Sequence, residues 1–128
     1  MKNCIFCKIV KGEITSIKIW EDKRHIAILD VNPINPGHVL VVPRKHDDYL
    51  FDISEKEYEG LMLTAKNIAI LIKSKLNPKR VGLVVEGFAV PHIHVHLVPI
   101  NNGNELNPER AKPSSKEELN KIASKLKN

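Results

Sequence analysis

Hydrophobic positions fall into short runs in the first third of the chain and into a helical repeat near its middle. Ile5 to Val10 is a short apolar segment closed by Lys11-Gly12-Glu13, and strand-like runs follow at Ile17 to Trp20 and His25 to Asp30, which together read as a hairpin. Asn32-Pro33-Ile34-Asn35-Pro36-Gly37 is the strongest turn signal, and it launches a β-branched run from His38 to Pro43, a third strand. Ser54-Glu55-Lys56-Glu57 has the form of a capping box, and Leu61, Ala65, Ile68, Ile72 and Leu76 then recur at helical spacing until Asn77-Pro78 stops the pattern. Gly82 to Glu86 and His92 to Val98 are two further short strands, the second framed by Pro91 and Pro99 as strand termini. After a turn at Asn102-Gly103, two overlapping capping boxes in Ser114-Ser115-Lys116-Glu117-Glu118 precede the stripe Leu119, Ile122, Ala123 and Leu126, a helix expected to dock on the body.

These elements predict an α+β fold of about five mainly antiparallel strands with one long helix and a C-terminal helix. A single domain is expected over residues 1–128, its core at about 4–100 and a C-terminal turn and helix at 101–128. With 128 residues, 42% hydrophobic and 27% charged, the chain has the make-up of a globular domain, which excludes disordered, collagen-like and coiled-coil classes. Its most apolar stretch, Leu61 to Ile72, is interrupted by Thr64, Lys66 and Asn67 and falls short of the roughly 18 residues a membrane span requires. Lys8, Lys11 and Glu13 arrive before a signal-peptide core can form, so a cytoplasmic protein with no membrane partner is expected. A net charge of +5 suits a phosphate-bearing ligand, whereas 5% aromatic residues argue against base-stacking recognition of nucleic acid. Much of the excess lies between Leu106 and Asn128, where six Lys and Arg face three Glu.

The candidate chemistry is concentrated in PHIHVHL. A strand alternates its faces, so His92, His94 and His96 project to one side while Ile93, Val95 and Leu97 project to the other. Strand stability requires no such row of imidazoles, each of which needs a partner once desolvated, whereas metal ligation or phosphoryl chemistry does require it. Alternate histidines on a strand also suit facial ligation of a catalytic zinc. Cys4 and Cys7, at Cys-x-x-Cys spacing, read as half a tetrahedral metal site or as a redox pair, with free core thiols as the third possibility.

PHIHVHLVP resembles the signature of the histidine triad family of nucleotide hydrolases and transferases, His-x-His-x-His followed by two hydrophobic residues, here Leu97 and Val98. CIFCKIVKGE, LDVNPINPGHVLVVPRKH and VVEG resemble family segments in the family order, so the likeness spans residue 4 to about 100 and is closest to short bacterial members. It implies a purine nucleotide substrate, a phosphoramidate or a dinucleoside polyphosphate, cleaved at the α-phosphate through a nucleotidyl-histidine. No catalytic cofactor is implied, and a homodimer is.

In that scheme His94 is the nucleophile, His96 contacts the phosphate oxygens or the leaving group, and His38 is the upstream histidine that orients or relays protons within the set that His92 begins. Asp30 falls on the ribose hydroxyls, and Phe6, Ile9, Ile28 and Val31 on the base pocket. Judged by type and position alone, His38 is a strand-start residue, Asp30 a turn former, and the four apolar residues are core. Some relatives, including galactose phosphate uridylyltransferases, complete a structural zinc site with an upstream histidine and the first of the triad, here His46 and His92 beside Cys4 and Cys7. The chain departs from the better-studied branches in two places. Phe88, Ala89, Val90 and Pro91 stand where those carry a Gly-, Gln- and Ser-rich phosphate-holding loop, and Val85 stands where many have Asn. A nucleotide- or partner-binding module with little turnover is therefore kept beside the enzyme and the zinc metalloenzyme.

Overall fold

The computed structural model describes residues 3–127; residues 1, 2 and 128 of the expected domain lie outside the described residues. The chain folds as α1 (Ile5–Val10), β1 (Lys18–Glu21), β2 (His25–Leu29), β3 (Val39–Pro43), α2 (Glu55–Leu76), β4 (Arg80–Val84), β5 (Val95–Ile100) and α3 (Lys116–Lys127), with single 3₁₀ turns at Leu50–Asp52 and Pro108–Arg110. The five strands form one antiparallel sheet in the order β1-β2-β3-β5-β4. This is the α+β architecture expected from the sequence.

The strand β3 is apolar on both faces and β2 nearly so, because both faces are covered. Ala27, Leu29, Val39, Val41, Val95 and Leu97 face α2 and α3 in the larger cluster, while Ile26, Ile28, Leu40 and Val42 face α1 with Phe6, Cys4 and Cys7. Helix α2 contributes Leu61, Ala65, Ile68 and Ile72, the residues whose spacing marks it as a helix, and α3 adds its full predicted stripe. The α2 capping box forms: the Ser54 hydroxyl accepts the Glu57 amide at 3.1 Å, and the Glu57 carboxylate accepts the Ser54 amide at 3.3 Å. Its other end closes on Asn77, at φ 54°, whose amide donates to the Lys73 carbonyl at 3.1 Å. Among the described residues no helix is long and apolar enough to cross a membrane.

The last two strands differ most from the sequence expectation. The fourth strand lies at Arg80–Val84 rather than Gly82 to Glu86, and the fifth begins at Val95 rather than His92. Pairing of β3 with β5 ends at Val41–Val95, and beyond it His92 and Ile93 are held by other bonds, with the Ile93 amide donating to the Asp47 carbonyl at 2.8 Å. Pro99 lies inside β5 instead of ending it. Its carbonyl accepts the Asn35 side-chain amide at 2.8 Å, so the edge where its missing N–H would point faces away from β4, past the last β3 rung at Val39–Leu97.

Gly37 delivers His38 to β3 with φ +92°, and a Cβ there would run into the Leu76 side chain and lie 3.1 Å from Pro99 Cγ. Gly37→Ala should therefore cost at least about 2 kcal/mol, combining a left-handed backbone with overpacking. Gly12→Ala, at φ +80° with open space around it, should cost only the backbone part. Urea denaturation checks the pair; equal losses would show that the contacts around Gly37 carry no weight.

Candidate active site

The three triad histidines do share the α1 face of the sheet, as the alternation requires, while Ile93, Val95 and Leu97 lie in the core beneath α2. They do not share one point. Among the described residues the clusters able to converge on one ion take His92 with Cys4, Cys7 and His46, and His96 with Asp30 and His38; His94 belongs to neither. Facial ligation of a single metal by His92, His94 and His96 is thus absent.

Fixed backbone groups determine where the imidazole protons sit. His94 Nδ1 lies 2.7 Å from the His92 carbonyl, which can only accept, so Nδ1 carries the proton and Nε2 keeps its lone pair. The Ile34 amide donates to His38 Nδ1 at 3.0 Å, so the His38 proton is on Nε2, which faces His96 Nδ1 at 2.9 Å. His96 accepts there and carries its own proton on Nε2. Rings of His94 and His96 lie 4.9 Å apart. The result is a nucleophilic nitrogen beside an N–H donor, set by two backbone groups that no side-chain pattern announces.

Burial holds the His96 and His38 rings neutral. It pushes His96 down to about 4, with the neighbouring His94 and His38 rings acting in the same direction, and lowers His38 as well, against the opposing pull of the Asp30 carboxylate. Asp30 Oδ2 lies 3.7 Å from His38 Nε2, and its Oδ1 accepts the Asn32 amide at 2.9 Å, so it does form the turn that its position allows.

A cavity of about 170 Å³ opens between Asp30, His38, His94 and His96, with Gly87 and Ala89 on one side and Leu106, Pro108 and Ala111 on another. It is smaller than the roughly 300 Å³ at which whole-ligand pockets begin. None of Phe6, Ile9, Ile28 and Val31 is on its wall. Phe6 and Ile28 are buried in the α1 cluster, Ile9 packs half-buried against it, and Val31 is exposed. Phe6 nevertheless touches the site, its ring 4.8 Å from that of His94. The C-terminal lining was not legible from the sequence. It depends on long-range straps, the Ser114 amide to the Val31 carbonyl at 3.0 Å and Arg110 to the Asn35 side chain at 2.7 Å. The loop before the triad brings Glu86, Gly87 and Ala89 to the cavity, and Phe88 points into solvent with 92% of its surface exposed.

Behind the triad, Cys4, Cys7, His46 and His92 bring their ligand atoms within 4.8 Å of one another. Nδ1 of His92 is 3.3 Å from Cys4 Sγ, 3.6 Å from Cys7 Sγ and 3.2 Å from His46 Nδ1, and His46 Nδ1 is 3.2 Å from Cys7 Sγ. Ligands around tetrahedral zinc, with Zn–S near 2.3 Å and Zn–N near 2.0 Å, stand about 3.3 to 3.8 Å apart, so the four residues fit that ion. His92 Nε2 donates to the Pro43 carbonyl at 2.8 Å, which turns Nδ1 toward the thiols, as an outer partner of a metal-bound histidine does. Burial lowers His92 and, with Cys4 beside it, raises the Cys7 thiol. The first keeps the imidazole in its ligating form; the second is a cost that a cation among the four atoms removes.

The sheet thus places a bare imidazole nitrogen of His94 next to an N–H of His96, with His38 and Asp30 behind, on the wall of one small cavity. Residues 11–103 match the HIT domain, and the chain belongs to the HIT family of nucleotide-binding hydrolases and transferases. It is 38% identical to an uncharacterized HIT-like protein of Mycoplasma genitalium over 98% of this chain and 95% of that one. It is also 38% identical to the adenosine 5'-monophosphoramidase of Saccharomyces cerevisiae, over 75% of this chain and 61% of that protein. Among solved structures, a HIT-like protein of Bartonella henselae superposes with a TM-score of 0.86 at 27% identity, covering 99% and 96% of the two chains. A Zn-bound histidine triad family protein of Mycobacterium smegmatis gives 0.80 at 30% identity, covering 98% and 94%.

The neutral His38–His96 pair has a pH signature. His96 titrates near 4 when folded and near 6.5 when unfolded, so between these values the unfolded chain binds more protons and stability rises with pH. The contribution is complete above about 6.5 and is lost as pH falls toward 4, and His38 shifts in the same direction. His96→Asn should flatten the pH dependence of the urea midpoint over this window. An unchanged slope would mean that His96 is not held neutral by the fold.

Proposed function

We propose that this chain hydrolyses or transfers nucleotides at the α-phosphorus of a nucleoside phosphoramidate or dinucleoside polyphosphate, through a nucleotidyl-histidine formed on His94. The observation that carries this reading is the hydrogen-bond order at the triad, with a bare Nε2 on His94 and an N–H on His96 lining one small cavity. His94 Nε2 attacks phosphorus and the bond from phosphorus to the leaving nitrogen or oxygen breaks, while the His96 Nε2–H donates a hydrogen bond to the leaving atom, which takes its proton from solvent. Water then attacks the phosphorus, releases its proton to solvent and frees His94. A donor fixed in advance at such a developing charge is worth about 10²- to 10³-fold.

His38 keeps His96 in the donor tautomer, and Asp30, beside the cavity, is assigned to the ribose hydroxyls. Phe6, Ile9, Ile28 and Val31 are assigned to the base, outside the phosphoryl cavity. The name of the yeast relative favours a purine phosphoramidate over a polyphosphate. We also assign structural zinc to Cys4, Cys7, His46 and His92, where it would cross-link α1 to the segment after β3 and to the approach to β5 without taking part in the reaction. A homodimer in the cytosol completes the reading; exposed Leu63 and Ile70 on α2 and Leu83 on the edge strand β4 are apolar surface that a second copy would cover.

With adenosine 5'-phosphoramidate as substrate, His94→Ala should lose at least about 10³-fold in turnover while the wild type traps labelled nucleotide on His94. A variant keeping a tenth of the wild-type rate overturns the mechanism. Tight nucleotide binding by the wild type without label or turnover would establish the binding module instead.

The purified protein should carry about one zinc per chain, and a chelator should lower its melting temperature, with Cys7→Ser reproducing the effect. Elemental analysis and thermal melts check this. Metal-free protein with an unaltered melt would return both cysteines to the core.

A further inference from the structure

A second hollow lies on the opposite face of the sheet from the triad, between the β2–β3 ends and the first turns of α2. Its volume is about 450 Å³, more than twice that of the triad cavity and within the range of small-molecule sites. Its floor is apolar, made by Ile53, Leu61 and Ile93. Five cations line it: Lys23, Arg24, Arg44, Lys45 and Lys56. Against them stand two acids on the wall, Asp47 and Glu57, both engaged by Lys45, and two just outside, Glu21, engaged by Arg44, and Asp22, engaged by His25. Lys23, Arg24 and Lys56 have no ion pair among the described residues, so the hollow keeps a positive excess.

Two further features mark it as a built site. His25 on the wall is 6% exposed, and its Nδ1 is engaged by the Asp22 carboxylate at 3.2 Å and by the Thr64 hydroxyl at 3.3 Å. Its Nε2 has no partner among the described residues. Gly60, inside α2, also lines the hollow, and a Cβ there would reach only to 3.9 Å from His25 Cε1. A helix interior prefers alanine, and alanine would fit, so the glycine costs helix stability while leaving the space beside His25 open.

We propose that this hollow is a second ligand site, for a small anion carrying two or more phosphate charges. Clustered Lys and Arg with a planar guanidinium among them match phosphate oxygens. The apolar floor would take the body of the molecule. The site is independent of the nucleotide chemistry at His94, although its wall includes Pro43, whose carbonyl holds His92, and Asp47, whose carbonyl holds the Ile93 amide.

Pyrophosphate added to the full chain as purified tests this, read through backbone amide NMR shifts. Saturable shifts are expected at Lys23, Arg24, Lys56 and Gly60, and they should persist in His96→Asn. Arg24→Ala with Lys56→Ala should weaken that binding at least about tenfold, since it removes two charge-assisted contacts. Gly60→Leu should abolish it by filling the hollow; if that variant melts early, the Arg24 and Lys56 pair decides. Shifts confined to the surroundings of Asp30 and His96, or an unchanged affinity in the double variant, would overturn the proposal.

Discussion

His92 is held from three directions, and the arrangement of the triad depends on it. Its Nε2 donates to the Pro43 carbonyl at the end of β3, its Nδ1 faces Cys4, Cys7 and His46, and its own carbonyl accepts the hydrogen bond of His94 Nδ1–H. The ring therefore ties the N-terminal helix and the segment after β3 to the approach to β5, and its backbone oxygen sets which nitrogen of His94 is bare. Moving this one residue would loosen a cross-link and release the tautomer of its neighbour together.

The sheet makes such an arrangement affordable by being covered on both sides. Hydrophobic burial under α2 and α3 supplies the bulk of the packing through residues such as Ile72, Val41 and Leu97, all at most 1% exposed. The α1 face can then hold His38, His92 and His94 at no more than 4% exposure, each with a partner that meets the cost of removing it from water. Desolvation on that face also keeps His96 and His38 neutral. Cations collect on the other side, around a hollow whose apolar floor belongs to the main core.

Much of this was legible in the order of residues. The hairpin, the β3 run, the capping box at Ser54 and the apolar period of α2 are local patterns, and each forms where its pattern lies, to within two residues at the strand ends. The alternation of His92, His94 and His96 against Ile93, Val95 and Leu97 holds even though only the last part of that stretch pairs in the ladder. The strand start was misplaced because a periodic pattern fixes facing, whereas pairing depends on where β3 ends. Pro99 sits within β5 for a related reason: a proline is tolerated wherever its missing N–H faces no partner, and that depends on the neighbouring strand.

The sequence by itself determined the class of fold, the histidine-bearing face, and the residues from which a nucleotidyl-transfer site and a Cys and His metal cluster could be drawn. Those properties follow from side-chain type and spacing, which local geometry converts directly into position. Tertiary structure alone decided that Ile34 and His92 lend backbone groups to fix the protons of His38 and His94, that Leu106, Pro108 and Ala111 close the cavity, and that Lys23, Arg24, His25 and Lys56 meet around Gly60. A backbone amide or carbonyl is the same at every non-proline position, and cations more than 30 residues apart carry no mark of meeting. Only the closing of the sheet between its helices brings them together.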